Sequence, residues 1–412
     1  MSDSRSYAIK FIKNIRAKVS WGTRGGFLLF SALLAYAVVY FFSGESFSEL
    51  QKYVLFILVL AIGLWVTEAI PPFAVGILVV GYLVFVTGKD NPENVHQYVQ
   101  TWSDSVIWLV LGGFFLAEGL KKTNLDFALL NIVLPRLGNS FTNVLLGIML
   151  LTALMSMIIS NTATTAMMIA ALSPILDKYK NNKDISKAFL VGVPLAASVG
   201  GMGTIIGSAP NAVAVGALEA IGIKVSFIEW FYFGFPVALF LVYFIWKILV
   251  KQYRIKELTL KFSITNLNQP VSSLDNNKRY IMIGILMFTL FLWVNSFWLN
   301  IPVAAVSIIP IVGTTFFMIV DADDVRQLPW DTLMLIAGGM ALGLAVQQQG
   351  IAVHYIQQID FAHIPYILVL IILAVMTSAF SNIMSNTATA SIFLPIAVSI
   401  TTLFFEVSPV LM

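Results

Sequence analysis

The chain has 412 residues, 58% of them hydrophobic and only 11% charged, with 24 Lys and Arg against 21 Asp and Glu for a net charge of +3. Soluble domains carry roughly 25% charged residues, so this composition excludes a soluble enzyme on an anchor and indicates an integral membrane protein. There is no cysteine, which removes disulfides, thiolate nucleophiles and cysteine metal sites; the period-two alternation of membrane barrels is also missing, so the spans are expected to be helices.

The chain opens with Arg5, Lys10, Lys13, Arg16, Lys18 and Arg24, followed by an apolar run from Gly26 to Phe42 without a small-residue cleavage motif. That pattern is a basic flank on a retained span, and the positive-inside rule puts the N-terminus in the cytoplasm. Residues 1–52 are read as this basic segment plus the first transmembrane helix. Further spans are expected near 53–70, 73–88 and 106–120. Glu68 falls at a span end, in Thr67-Glu68-Ala69-Ile70-Pro71-Pro72. An interfacial carboxylate at a turn is favoured there over an ion-coupling group. Trp102 and Trp330 read as interface anchors.

The stretch 141–176 is apolar but is interrupted by Ser160-Asn161-Thr162-Ala163-Thr164. Lys121, Lys122 and Arg136 precede it, and Lys178, Lys180, Lys183 and Lys187 follow it. Basic residues at both ends favour a re-entrant hairpin that enters and leaves on the cytoplasmic side. The next span, 187–221, contains Ser198–Asn211 with four glycines and Pro210, and so is expected to break in mid-membrane. A span at 231–250 completes a first repeat, 53–250. Lys247 to Arg279 mark a cytoplasmic loop over 251–279. Spans at 280–299, 302–320 and 332–347 follow, with Asp321, Asp323 and Asp324 in a solvated loop.

The stretch 366–405 carries the pentapeptide again, as Ser385-Asn386-Thr387-Ala388-Thr389, offset by 225. Leu64-Trp65-Val66 recurs as Leu292-Trp293-Val294, and Leu109–Gly113 loosely as Leu335–Gly339, at offsets of 228 and 226. Three matches in order make an internal repeat, with 280–412 as its incomplete second copy. Five crossings separate the two pentapeptides, an odd number, so the second hairpin must enter from the opposite face. The expected fold is therefore an all-α polytopic membrane protein. It is an inverted-repeat secondary transporter with two re-entrant hairpins and broken helices.

Small polar groups at hairpin tips offer carbonyls to a monovalent cation and helix N-termini to an anion. The bland alternative, interhelical hydrogen-bonding glue, fits a lone motif better than a duplicated one. No Ser/His/Asp set, HExxH motif or paired intramembrane carboxylate can be assembled, which argues against an enzyme. A channel would more naturally be a symmetric ring of chains. No Lys or Arg lies near either pentapeptide, so an anionic substrate would be compensated by helix ends, amides and bound cations.

These residues resemble the divalent anion/sodium symporter family, the dicarboxylate and citrate transporters. The likeness rests on the paired Ser-Asn-Thr, on Trp65–Pro71, and on Gly207-Ser208-Ala209-Pro210-Asn211, where Ala209 and Ser208 replace the usual proline and threonine. It implies sodium-coupled transport of succinate-, citrate- or 2-oxoglutarate-like dianions across the bacterial plasma membrane, by an elevator motion in a homodimer, with no organic cofactor and no nucleic acid. A sulfate-like carrier or a cation/proton antiporter of the same superfamily is the alternative. By resemblance, a first sodium site uses Ser156, Ser160, Asn161 and the Gly207 carbonyl, and a second uses Ser381, Ser385 and Asn386. Substrate carboxylates meet Asn161, Thr162, Ser208, Asn386 and Thr387. Adding 225 to Gly207–Asn211 points past Met412. The second sodium site therefore lacks its partner segment in this chain, and transport by the chain alone is not expected unless another chain supplies it.

Overall fold

The computed structural model describes residues 21–44, 47–88, 93–138, 140–179, 182–253, 276–357 and 365–404. The basic residues through Lys18, most of the 251–279 loop and the last residue of the second hairpin lie outside these ranges. Within them the regular structure is helical, and seven helices are long and apolar enough to cross a bilayer. The protein is an all-α, multi-pass membrane protein. Two expected spans appear as shorter helices, Pro72–Thr87 and Val303–Phe316, of 16 and 14 residues. At 1.5 Å per residue these reach only about 24 and 21 Å.

The described residues fall into two compact units. One contains the residues up to Trp102, the turn Ala220–Gly222 and the residues from Met334 onward; the other contains Ser103–Glu219 and Ile223–Leu333. This division by packing cuts across the sequence repeats.

In the first unit, α1 (Trp21–Phe42) packs on α2 (Glu49–Thr67), where a Cβ on Gly63 would meet Ser31 at 2.8 Å. Ser48 and Gln51 form a reciprocal cap at the start of α2, satisfying amides that a helix leaves open. Glu68 ends α2 in a left-handed conformation, φ 47°. It is a turn residue beyond the helix, and Pro71 and Pro72 then start α3 (Pro72–Thr87) with their preset φ. Trp65, fully buried, donates its Nε1–H to the Pro72 carbonyl and ties this corner together. The unit is completed by α4 (Glu93–Val99) and by helices of the C-terminal half.

The second unit begins with α5 (Ser105–Lys122), capped by Asp104, and α6 (Leu125–Val133). Then α7 (Phe141–Ser156) and α8 (Asn161–Lys178) pack against each other across a four-residue link. Next come α9 (Lys183–Gly200) and α10 (Ala209–Ala220), separated by two 3-10 turns, Gly201–Gly203 and Ile205–Gly207. They are followed by α11 (Phe227–Gln252), α12 (Asn276–Leu299), α13 (Val303–Phe316) and the one-turn α14 (Ala322–Arg326). The remaining helices are α15 (Trp330–Gln348), which runs from this unit into the first, α16 (Ile351–Ile356), and the pair α17 (Tyr366–Ser381) and α18 (Asn386–Phe404).

The repeated glycine pairs have matching environments in the two units. In α5, Gly112 abuts the Ser307 backbone of α13, and Gly113 abuts Ile206 in the unwound segment. In α15, Gly338 abuts Gly76 of α3, and Gly339 abuts Ser391 of α18. Both α3 and α13 are short helices that follow a proline cap, Pro71 or Pro302. The side chains of Trp65 and Trp293, the other repeated residues, are both buried in full. In each unit a glycine pair therefore lets one helix be approached closely on two sides.

The acidic loop departs from expectation. Asp321 and Asp323 are exposed, but Asp324 is 6% exposed and pairs with Lys122 of α5 at 2.5 Å. Burial raises its carboxyl pKa, yet the Asp321 backbone N–H and the Lys122 ammonium outweigh this and hold it below its ordinary value. The loop is pinned to the end of α5, and Lys278 and Arg279 add bonds to the carbonyls of Met318 and Thr123.

Candidate functional site: two broken-helix tips

The first pentapeptide opens α8. Ser160 is the N-cap, its Oγ accepting the Ala163 N–H at 3.4 Å. Ser and Asn compete for backbone bonds and so favour helix starts over helix interiors. Asn161 and Thr162 occupy the first turn, where the N–H groups have no partners within the helix. The carbonyl of Ser160 accepts from Thr164 N–H, whose side chain is fully buried.

Ser156, the last residue of α7, is fully buried and donates its hydroxyl to Asn161 Oδ1 at 2.7 Å. The glycine segment reaches the same place. A Cβ on Gly207 would lie 2.6 Å from the Gly201 carbonyl oxygen and 2.9 Å from that of Ser156. A Cβ on Gly201 would strike Asn161 Oδ1 and lie 3.1 Å from the Gly207 carbonyl oxygen. Only glycine permits this approach. The result brings the oxygens of Ser156 and Asn161 close to the backbone of Gly201 and Gly207.

Two side chains hold the segment unwound. Thr204 donates its hydroxyl to the Met157 carbonyl and accepts the Gly207 N–H at 3.1 Å. Asn211 donates through Nδ2 to the carbonyls of Gly201 and Thr204, both at 2.8 Å. These bonds satisfy backbone groups that an intact helix would have satisfied itself. The structure thus brings Ser156, Asn161 and Gly207 together and adds Gly201, Thr204 and Asn211, none of which the sequence reading assigned a role at the site. Ser208 follows in extended conformation, half-buried, its carbonyl accepting the Asn211 N–H. Ser160 has a capping role at the exposed edge of the cluster.

The second pentapeptide builds a like tip in its own unit. Ser385 Oγ accepts the Ala388 N–H at 3.2 Å, and Thr389 bonds back to the Ser385 carbonyl. Asn386 is exposed and Thr387 half-buried on the first turn of α18. Ser381, the counterpart of Ser156, donates to the Ser378 carbonyl at 2.9 Å. Ser-Asn-Thr thus serves as link, cap and first turn at both tips.

The family model for citrate transporters matches residues 62–412, a span that includes both tips and the unwound glycine segment. The chain belongs to the citrate transporter family. A protein of Staphylococcus saprophyticus named sodium-dependent dicarboxylate transporter SdcS is 28% identical over 95% of this chain and 81% of its own length. The SdcS protein of Staphylococcus aureus strain USA300 is 27% identical with the same coverage of both chains. Membership of this family makes the protein a membrane transporter.

Proposed function

We propose that this transporter couples sodium to the passage of a dicarboxylate through the plasma membrane. The reading is carried by the oxygen cluster at Ser156, Asn161, Gly201 and Gly207. Its donors are hard oxygens, as alkali and alkaline-earth cations prefer. All are neutral, which suits a monovalent ion better than a divalent one. Unwound backbone carbonyls between half-helices are a recurrent sodium-binding arrangement in secondary transporters. The SdcS relatives, sodium-dependent dicarboxylate transporters by name, support the same assignment of ion and substrate.

In this reading Asn161 serves both ligands. Its Oδ1 faces the ion, and the first turn of α8 offers N–H groups and a positive dipole end to a carboxylate. Bound sodium adds a positive charge beside that carboxylate, so each ligand strengthens the other. Thr162 and Ser208 complete this half of the substrate site. Asn386 and Thr387 contribute from the second tip, with Ser381, Ser385 and Asn386 assigned to a second sodium. The N-terminus is cytoplasmic, the two tips enter from opposite faces, and a homodimer works by elevator motion.

Thermal stabilisation of the purified protein by a panel of dianions, with and without sodium, tests the proposal. Succinate or a similar dicarboxylate should stabilise only when sodium is present. A sodium-independent response, or none to any dianion, overturns it.

A further inference from the structure

A cavity of about 450 Å³ opens beside the first tip, within the size range of small-ligand sites. It is lined by Ser160, Ala163 and Met167 of α8, by Glu118 and Lys121 of α5, and by Gln327. Ser160 and Ala163 are exposed to it, and so are Lys121 and Gln327. The cavity therefore joins the start of α8 to the basic end of α5.

Lys121 is held in a particular way. Its ammonium meets both carboxylate oxygens of Glu118, at 3.0 and 3.1 Å, one turn back on the same helix. The two side chains differ in exposure, 65% for Lys121 and 17% for Glu118. The ammonium is therefore the more accessible member of the pair. An exposed pair of this kind adds little stability. Its chemical effect is to fix a cation on the lining of a cavity that also touches Ser160 and Ala163, the cap and first turn of the first tip.

We infer that this cavity is the passage by which the dicarboxylate reaches or leaves the first tip, and that Lys121, tethered by Glu118, is a guiding residue for the dianion. The inference rests on the function proposed above. Lys121 does not touch the bound substrate; it raises the local dianion concentration through its field. Glu118 carries the opposite charge, but it is the more buried member of the pair, so the ammonium is the group a dianion in solvent meets more readily.

Stopped-flow tryptophan fluorescence of the purified full chain, mixed with succinate in saturating sodium, reads the association rate. At an ionic strength near 0.05 M, Lys121→Gln should slow association about threefold, because one unit charge acts on a dianion over roughly 7 Å of water. Lys121→Arg should restore the rate. In 1 M salt the variants should converge, which a merely structural role would not produce. Association of Lys121→Gln at the wild-type rate in low salt overturns the inference and leaves the proposed function standing. So does a Glu118→Gln variant that weakens sodium rather than succinate binding, since the carboxylate would then be steering the cation. Absence of any sodium-dependent succinate signal in the wild type overturns the proposed function itself.

Discussion

Replacing Gly207 by alanine puts the oxygen cluster under a defined load. The added methyl would lie 2.6 Å from the Gly201 carbonyl oxygen and 2.9 Å from that of Ser156. Non-bonded carbon and oxygen rarely come closer than roughly 3.2 Å, so these carbonyls must retreat by about half an ångström. Overpacking of this kind costs about 1–3 kcal/mol. A cation that needs its oxygens near 2.4 Å requires the end of α7 and the 201–207 segment to close again, so much of that cost falls on binding. Sodium affinity should then drop about five- to 150-fold. The assay is sodium-dependent thermal stabilisation. At sodium one hundred times the wild-type dissociation constant, linkage gives ~2.7 kcal/mol, and a site thirtyfold weaker gives ~0.9 kcal/mol. Gly284→Ala is the matched control, because a Cβ there meets nothing within 4 Å; its sodium response should equal the wild type's. A Gly207→Ala protein with an unaltered sodium titration would refute the idea that these carbonyls hold the ion.

Two further substitutions separate ion binding from helix capping. Asn161→Ala removes Oδ1 and leaves the buried Ser156 hydroxyl without its acceptor. It should abolish sodium-dependent dianion binding in the same thermal assay, and unchanged affinity would mean Asn161 is only interhelical glue. Ser160→Ala should cost about 1 kcal/mol of stability through the lost cap while leaving detectable sodium binding. The Asp324–Lys122 pair predicts a pH effect outside the membrane. The carboxyl's folded-state pKa is lowered, so its stabilisation is fully present above the ordinary carboxylate value near 4 and is lost as pH falls through the depressed one. Asp324→Asn should destabilise by about 1–2 kcal/mol at neutral pH, and the difference from wild type should close in acid when thermal midpoints are compared.

Much of the architecture was legible because apolar runs interrupted by small polar residues have few solutions in a bilayer. Both pentapeptides lie where helices break, at Met157–Ser160 and Asn382–Ser385, and the glycine-rich span is unwound between Gly200 and Ala209. The short helices Glu93–Val99, Leu125–Val133 and Ile351–Ile356 were not foreseen; each is too brief for its periodicity to stand out from its surroundings. The burial of Asp324 was hidden for another reason. Its partner, Lys122, is some 200 residues away in sequence, and an aspartate among aspartates reads as solvated. Thr204 and Asn211 lay inside the segment already singled out. Their work depends on which carbonyls face them, Met157 and Gly201, and that is set by tertiary packing alone.

The glycine pair in α5 also has a mechanical meaning. With no side chains at Gly112 and Gly113, α13 and the Ile206 side chain rest on adjacent sides of a bare backbone. Side chains yield by changing rotamer, whereas a hydrogen-bonded helical backbone is stiff, and close-packed interiors transmit strain. A shift of the 201–207 turn as its carbonyls close on an ion would therefore pass to α13 with little damping. One methyl at Gly112 would press on the Ser307 backbone of α13, and one at Gly113 on the Ile206 side chain, so either would push apart elements that now rest on α5.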